Sequence, residues 1–226
     1  MAKTDLQEIV LARRSIRGFL PDPVSRSSLA KILQLARSAP SGANLQPGRF
    51  TVLTSDALEN LTNILIQAIR DERPSVSEYS YFPNPLPEHL LARKRATGFG
   101  LYDALNIAKR DIKARKRQFE HNYRFFGAPV GMVVSIDKRM GKGCFMDLGM
   151  AIQNLLIGIE TEGLSSCGIG ALANYGDIVH EHLNLPDEEI VVCGIAVGYA
   201  DPHNPANTFK TPRLNLDEYS KFLGFD

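Results

Sequence analysis

Three arginines, Arg13, Arg14 and Arg17, lie within five residues of one another in LARRSIRGF (Leu11–Phe19), beside Ser15, in a chain whose net formal charge is only +1. A guanidinium offers a fixed fork of donors, the geometry best suited to a phosphate or an electron-rich planar oxygen. The competing use is structural. Leu6, Ile9 and Val10 follow a helical period, so Arg13 and Arg14 would close a helix, where cations sit well against the macrodipole. On this stretch alone the structural use is the simpler reading.

Other chemistries find little support. GFG, GIG and GKG do not continue as G-x-G-x-x-G between a strand and a helix, and there is no G-x-x-x-x-G-K-[ST]. His180 and His182 are two residues apart, about 200° around a helix, and cannot share a metal; no cysteine lies near a histidine at zinc spacing. APSGA is not a nucleophile elbow, and no serine has an evident histidine–acid pair. With no metal site expected and no hydrolytic set, chemistry here points to an organic cofactor.

At 226 residues and 44% apolar content, the chain suits one substantial domain with a full core. No apolar run reaches the roughly 18 residues of a membrane span. MAKTDLQEIV carries acids and lacks a leader's apolar core. Cys144, Cys167 and Cys193 are odd in number and set in apolar contexts, so reduced thiols and a cytoplasmic location are expected. The near-neutral total argues against nucleic acid as a partner, yet Glu88–Arg124 holds ten Lys/Arg against four Asp/Glu. Such a run is either a solvated helix face or an attractor of anionic substrate or cofactor phosphate.

The elements that must position these groups follow from periodicity. Helices are expected over Asp5–Arg13, from a Ser25 cap to Pro40, and from Ser55 or Asp56 through Ile69. RFTVLT, PVGMVVSID, LSSCGIGAL and EIVVCGIAVGYA read as strands, the last one central. ERPSVSEYSYFPNPLP, with prolines at 74, 83, 85 and 87, reads as a long functional loop. A charged helix follows, with an interruption expected at TGFG (Thr97–Gly100). MDLGMAIQNLLIGIETEG is the most hydrophobic helix, closed by Gly163, and GDIVHEHLNL is another. Asp201–Asp226 reads as an arm. Helices outnumber strands, and the fold class is α+β.

The order RRSIR, APSGANLQPGRF (Ala39–Phe50), DLGMAIQNLL, CGIGAL, GIAVGYA, FKTPRLNLDEY resembles the FMN-dependent nitroreductase family over nearly the whole chain. YFPNPLPEHL to NYRFFGAPV further resembles its nitrobenzoate- and nitrobenzene-reductase subgroup. The resemblance implies one α+β domain, residues 1–226, with a central, mainly antiparallel sheet wrapped by helices, an inserted lid at about 75–124 and a C-terminal arm at about 201–226. It also implies an intertwined homodimer with FMN clefts at its interface.

By the same resemblance, Arg13, Arg14, Ser15 and Arg17 contact FMN. Arg13 grips the phosphate with Lys210 and Arg213, and Arg17 sits by the N1–C2=O edge, where a cation favours the anionic reduced ring. Pro40, Ser41, Gly42, Ala43, Asn44 and Gln46 come from the partner chain. Ile169, Gly170 and Ala171 form the loop at flavin N5, with a backbone N–H of Gly170 or Ala171 aimed there. AIQNLLIGI packs across the dimer axis, with Gln153 and Asn154 serving buried polar groups. One departure is Gly48, where many relatives carry an aromatic after QP; the space it leaves must be filled by another side chain. Tyr79, Tyr81, Phe82, Tyr102 and Phe125 are candidates to wall the substrate pocket, and Arg124 to contact the pyrimidine ring or substrate.

The implied activity is NAD(P)H-dependent reduction of nitroaromatic compounds or quinones by hydride transfer at flavin N5, with no side-chain catalyst. Its competitors are another reaction of the same scaffold (flavin reductase, dehalogenase, dehydrogenase) and a binding protein using the basic surface of residues 93–117.

Overall fold

The two most apolar runs become the inner strands of a four-stranded antiparallel sheet. In the computed structural model, which describes residues 6–225, β1 (Gly48–Thr54), β2 (Val130–Asp137), β3 (Ser165–Ile169) and β4 (Glu189–Gly198) stand in the order β1-β2-β4-β3. Side chains on β2 alternate between two cores, as the two-residue period of a strand requires. Met132, Val134 and Ile136 face α2 (Arg26–Arg37) and α6 (Lys142–Thr161); Val133 faces α3 (Ser55–Arg70) and α7 (Gly176–Leu183). The register shifts once, because Val134 pairs with Cys193 and Ser135 with Val191, leaving Val192 as the extra residue of β4.

Local chemistry sets the ends of these elements. Ser25 Oγ accepts the Ser28 amide at 3.1 Å to cap α2. Helix α6 ends where Gly163 takes φ +72°, with the Gly163 and Leu164 amides bonded to Glu160 and Ile159 carbonyls. That is the left-handed glycine termination, which favours a residue without a β-carbon.

Three features place the candidate site. After α1 (Leu6–Ala12), the chain from Ser15 to Leu20 runs extended beside the ends of β3 and β4, with Ile16 N–H on Ser166 O and Leu20 N–H on Tyr199 O, both at 2.9 Å. Asp5, the expected start of α1, lies outside the described residues. The proline-rich stretch is irregular and pinned to the start of α7 and the segment before it: Val76 N–H donates to Asn174 O at 2.8 Å, and Arg73 pairs with Asp177 at 2.7 Å. Among the described residues, the tail carries one 3-10 turn (Pro205–Asn207) and the four-residue α8 (Leu216–Tyr219).

One expectation is overturned. Helix α4 (Glu88–Ala104) runs unbroken through TGFG, ahead of α5 (Ile112–Glu120). A β-carbon on Gly100 would collide with the Phe209 ring, so this glycine lets the tail approach the helix rather than breaking it.

Candidate functional site

Four cations from opposite ends of the chain share one cleft. Arg13 and Arg14, delivered by the end of α1, face Lys210 and Arg213 of the tail across a space of about 670 Å³, with Gln153 of α6 in its wall. Among the described residues, no acidic one lines it. Among the described residues, none of these four cations has a carboxylate within 4 Å. Arg213 Nη1 instead donates to Thr211 Oγ1 at 2.8 Å and to the Thr211 and Pro212 carbonyls at 3.2 Å. Glu160 lies two turns beyond Gln153 on α6. Burial pushes its carboxyl above the usual range, and the positive charges of Arg13 and Arg14 oppose that rise.

Arg17 faces elsewhere. It lines a second cleft of about 390 Å³ with His121, Arg124 and Phe126, its guanidinium carbon 5.9 Å from the Phe126 ring centre. Its amide donates to Asn207 Oδ1 at 2.7 Å. Ser15 is half-buried between the two clefts, bridged to Ser166 of β3.

Pro40–Gln46 lines neither cleft. It sits against the start of α6, where the Gly42 amide donates to Asp147 Oδ2 at 3.1 Å. Ala43, Asn44 and Gln46 all take left-handed φ of 49–57°, an uncommon cluster for residues with a β-carbon. They are exposed within the chain. Gly48 is filled as the missing aromatic requires: Leu148 Cδ1 occupies the space of its absent β-carbon.

The Ile169–Ala171 turn lies at the end of β3. Ile169 is fully buried, so only its backbone is available to a ligand, and Ala171 packs on the core. Gly168 is exposed, with open space where a β-carbon would stand. The Tyr81 ring closes over Gly170, 3.1 Å from the position of a β-carbon there.

Tyr81 continues an aromatic run. Its ring centre is 6.4 Å from Tyr79 and 4.7 Å from Phe82, and Tyr79 is 5.8 Å from Phe145 of α6. Tyr79 Oη donates to the carbonyl of Val192, the extra residue of β4, at 2.5 Å; burial raises its phenol pKa. Lys94 of α4 stands 4.4 Å over the Phe82 ring. Tyr102 is not part of this run and lies under the Arg115 guanidinium at 5.1 Å. Phe125 is excluded as a pocket wall: it is fully buried between the sheet and α3, in contact range of Gly131 and Gly194.

All three cysteines are free. Burial pushes the Cys193 thiol up to about 12 and also raises Cys167 despite Arg17 and Arg13 nearby, so neither is a thiolate nucleophile. Two site residues escaped the sequence reading. Gln153, singled out for a role across the dimer axis, is exposed within the single chain and also lines the cation cleft; Asn207 is a buried polar residue inside a polar tail, and nothing in its neighbours marks it.

Residues 10–199 match the Nitroreductase family. The chain is 34% identical to 4-nitrobenzoate reductase of Pseudomonas putida, covering 98% of this chain and 97% of that protein. It is 35% identical to nitrobenzene nitroreductase of Ectopseudomonas oleovorans, covering 96% of each. Among solved structures, the FMN and NADPH-dependent nitroreductase NfnB from Sphigopyxis sp. strain HMH superposes with a TM-score of 0.95 at 36% identity, over 98% of this chain and 100% of that one. The FMN-dependent NfnB from Mycobacterium smegmatis in complex with NADPH gives 0.92 at 28% identity, over 96% and 97%.

Proposed function

The chain belongs to the nitroreductase family, and from that premise we propose that it is an FMN-dependent NAD(P)H oxidoreductase that reduces nitroaromatic compounds and accepts quinones. The observation that carries this reading is the cleft in which Arg13, Arg14, Lys210 and Arg213 converge with no acid among them. Four cations left without carboxylate partners are the donor set that a phosphate dianion requires. The open space beside Gly168 and the close approach of Tyr81 to Gly170 suit a flat ring at the end of β3.

Bound FMN would supply hydride transfer at N5, accepting from the nicotinamide and giving to the acceptor. The chain's own residues do the rest. Arg13, Arg14, Lys210 and Arg213 would hold the phosphate; Arg17 and Arg124, which share a cleft, would present positive charge to the N1–C2=O edge. A backbone N–H of Gly170 or Ala171 would orient the ring at N5. Tyr79, Tyr81 and Phe82 exclude water and stack an electron-poor ring. Solvent would supply the protons, since among the described residues no carboxylate lines either cleft.

The functional unit is a homodimer in the cytoplasm, one domain with a lid at about 75–124 and an arm at about 201–226. Support for pairing comes from Met146 and Met150 of α6, 70% and 39% exposed, and from the strained Ala43–Gln46 turn, which is exposed and lines neither the cation cleft nor the Arg17 cleft of its own chain. The free cysteines suit a reducing compartment. Purified protein should be yellow, release FMN on denaturation, and oxidise NADH or NADPH only when a nitroaromatic or quinone is added. A colourless protein that takes up no FMN in a fluorescence titration would overturn the reading.

A further inference from the structure

Asn207 is among the few buried polar residues, at 5% exposure, and spends its whole amide on one spot. Oδ1 accepts the Arg17 amide at 2.7 Å, while Nδ2 donates to Gly18 O at 2.8 Å and Asp201 O at 2.9 Å. The Asp201 amide also donates to Gly18 O at 3.0 Å, and the Asn204 side chain lies where a β-carbon on Gly18 would stand. Asn204 Oδ1 meanwhile accepts the Ala206 amide at 3.0 Å, which fixes the 3-10 turn carrying Asn207. The turn thus grips two residues some 190 positions away, and glycine at 18 is what lets it close.

Both outputs of this clamp lead to the proposed cofactor. On one side is Arg17, whose main chain is tied at its own amide and at the next carbonyl. On the other, the chain leaves the turn and reaches Lys210 three residues later and Arg213 six residues later, both in the phosphate cleft. Resting on the proposed FMN reading, we infer that Asn207 is a positioning residue that holds Arg17 at the ring edge and launches Lys210 and Arg213 toward the phosphate. Asn207 itself lines neither the phosphate cleft nor the Arg17 cleft. A primary amide is the side chain for this task, because the position requires one acceptor and two donors in a plane. An aspartate keeps the acceptor but sets its second oxygen against two carbonyls.

The test compares Asn207→Ala and Asn207→Asp with Arg17→Ala and Arg213→Ala. In the apoprotein, hydrogen exchange at the Arg17 amide should accelerate tenfold or more in both Asn207 variants and stay slow in Arg213→Ala. On titration with FMN, Asn207→Ala should bind at least tenfold more weakly. Its bound flavin should show a more negative midpoint potential, shifted in the same direction as in Arg17→Ala. Arg213→Ala should lose affinity with the potential unchanged. An unaltered exchange rate, or lost affinity with the parental potential, would overturn the positioning role. If Asn207→Ala does not accumulate folded, Asn207→Ser takes its place with the same expected and opposing outcomes. A parent protein that binds no FMN would sink the proposed function instead, and the exchange result would still report on the clamp.

Discussion

Leu148 Cδ1 occupies the space that a β-carbon on Gly48 would need. Leu148, on α6, is fully buried against β1, so it cannot swing away without displacing its neighbours in the core. Gly48→Ala should therefore destabilise the protein by ~1–3 kcal/mol, the range for overpacking a filled site. Leu148→Ala in the same chain should recover part of that loss, giving a coupling energy opposite in sign to the single effects. Chemical denaturation of the four proteins measures it; strictly additive losses would show that the two sites do not compete for space.

How far the sequence discloses such pairings depends on their range. Strands β2 and β4 and helices α2, α3 and α6 follow from periodicity, a Ser25 cap and Gly163, all of them local. Gly100 misleads because its partner, Phe209, lies more than a hundred residues away; a glycine that breaks a helix and one that admits a ring look alike in one sequence. Phe125 misleads because an aromatic beside a loop has no periodicity to reveal its burial. The cation cleft was legible only through the ordered motifs, since Arg13 and Arg213 share no local signal. Asn207 was not legible at all, because its value resides in two backbone groups near the other end of the chain.

Arg213 now spends its guanidinium on Thr211 and the Pro212 carbonyl, short-range contacts it can exchange for a phosphate. Arg213→Ala should weaken FMN binding by ~1.5–3 kcal/mol, the range for a hydrogen bond to a charged group. Quenching of flavin fluorescence on titration gives the affinity, and an unchanged dissociation constant would remove Arg213 from the phosphate site.

Glu160 supplies a pH dependence. Its carboxyl is raised chiefly by burial, so the folded protein holds that proton more tightly than the unfolded chain does. The stability linked to it is fully present below the ordinary carboxylate pKa and is lost as pH rises through the raised value. Glu160→Gln should thus melt at least as high as the parent at pH 7, with the gap closing in acid. Removing a negative charge near Arg13 and Arg14 should also tighten FMN binding about threefold at low salt. Weaker binding in Glu160→Gln would instead make the carboxylate an orienter of the two arginines.

Pairing of chains has its own readout. Met146, Met150 and Leu35 leave an exposed apolar strip along α6 and α2, which an isolated chain would have to hydrate. Sedimentation should find a dimer at micromolar concentration, and Met146→Glu with Met150→Glu should shift it toward monomer with loss of flavin. A stable flavin-loaded monomer of the parent would overturn the dimer.

Helix α4 brings charge to the aromatic run. Lys94 rests over Phe82, Arg93 lines a groove of about 550 Å³ opposite Arg213 and Tyr219, and Arg95 is exposed on the same helix. These cations have no carboxylate within 4 Å among the described residues, so their field reaches the solvent, with Lys94 the one placed against the aromatic run. An anionic nitroaromatic should be drawn in by that field and a neutral one should not. Replacing Arg93, Lys94 and Arg95 with glutamine should lower kcat/KM for nitrobenzoate up to about tenfold at low salt and leave nitrobenzene nearly unchanged. The selective loss should shrink as added salt shortens the screening length. If both substrates lose rate equally, Lys94 acts by packing on Phe82; if neither changes, the basic helix is only a solvated face.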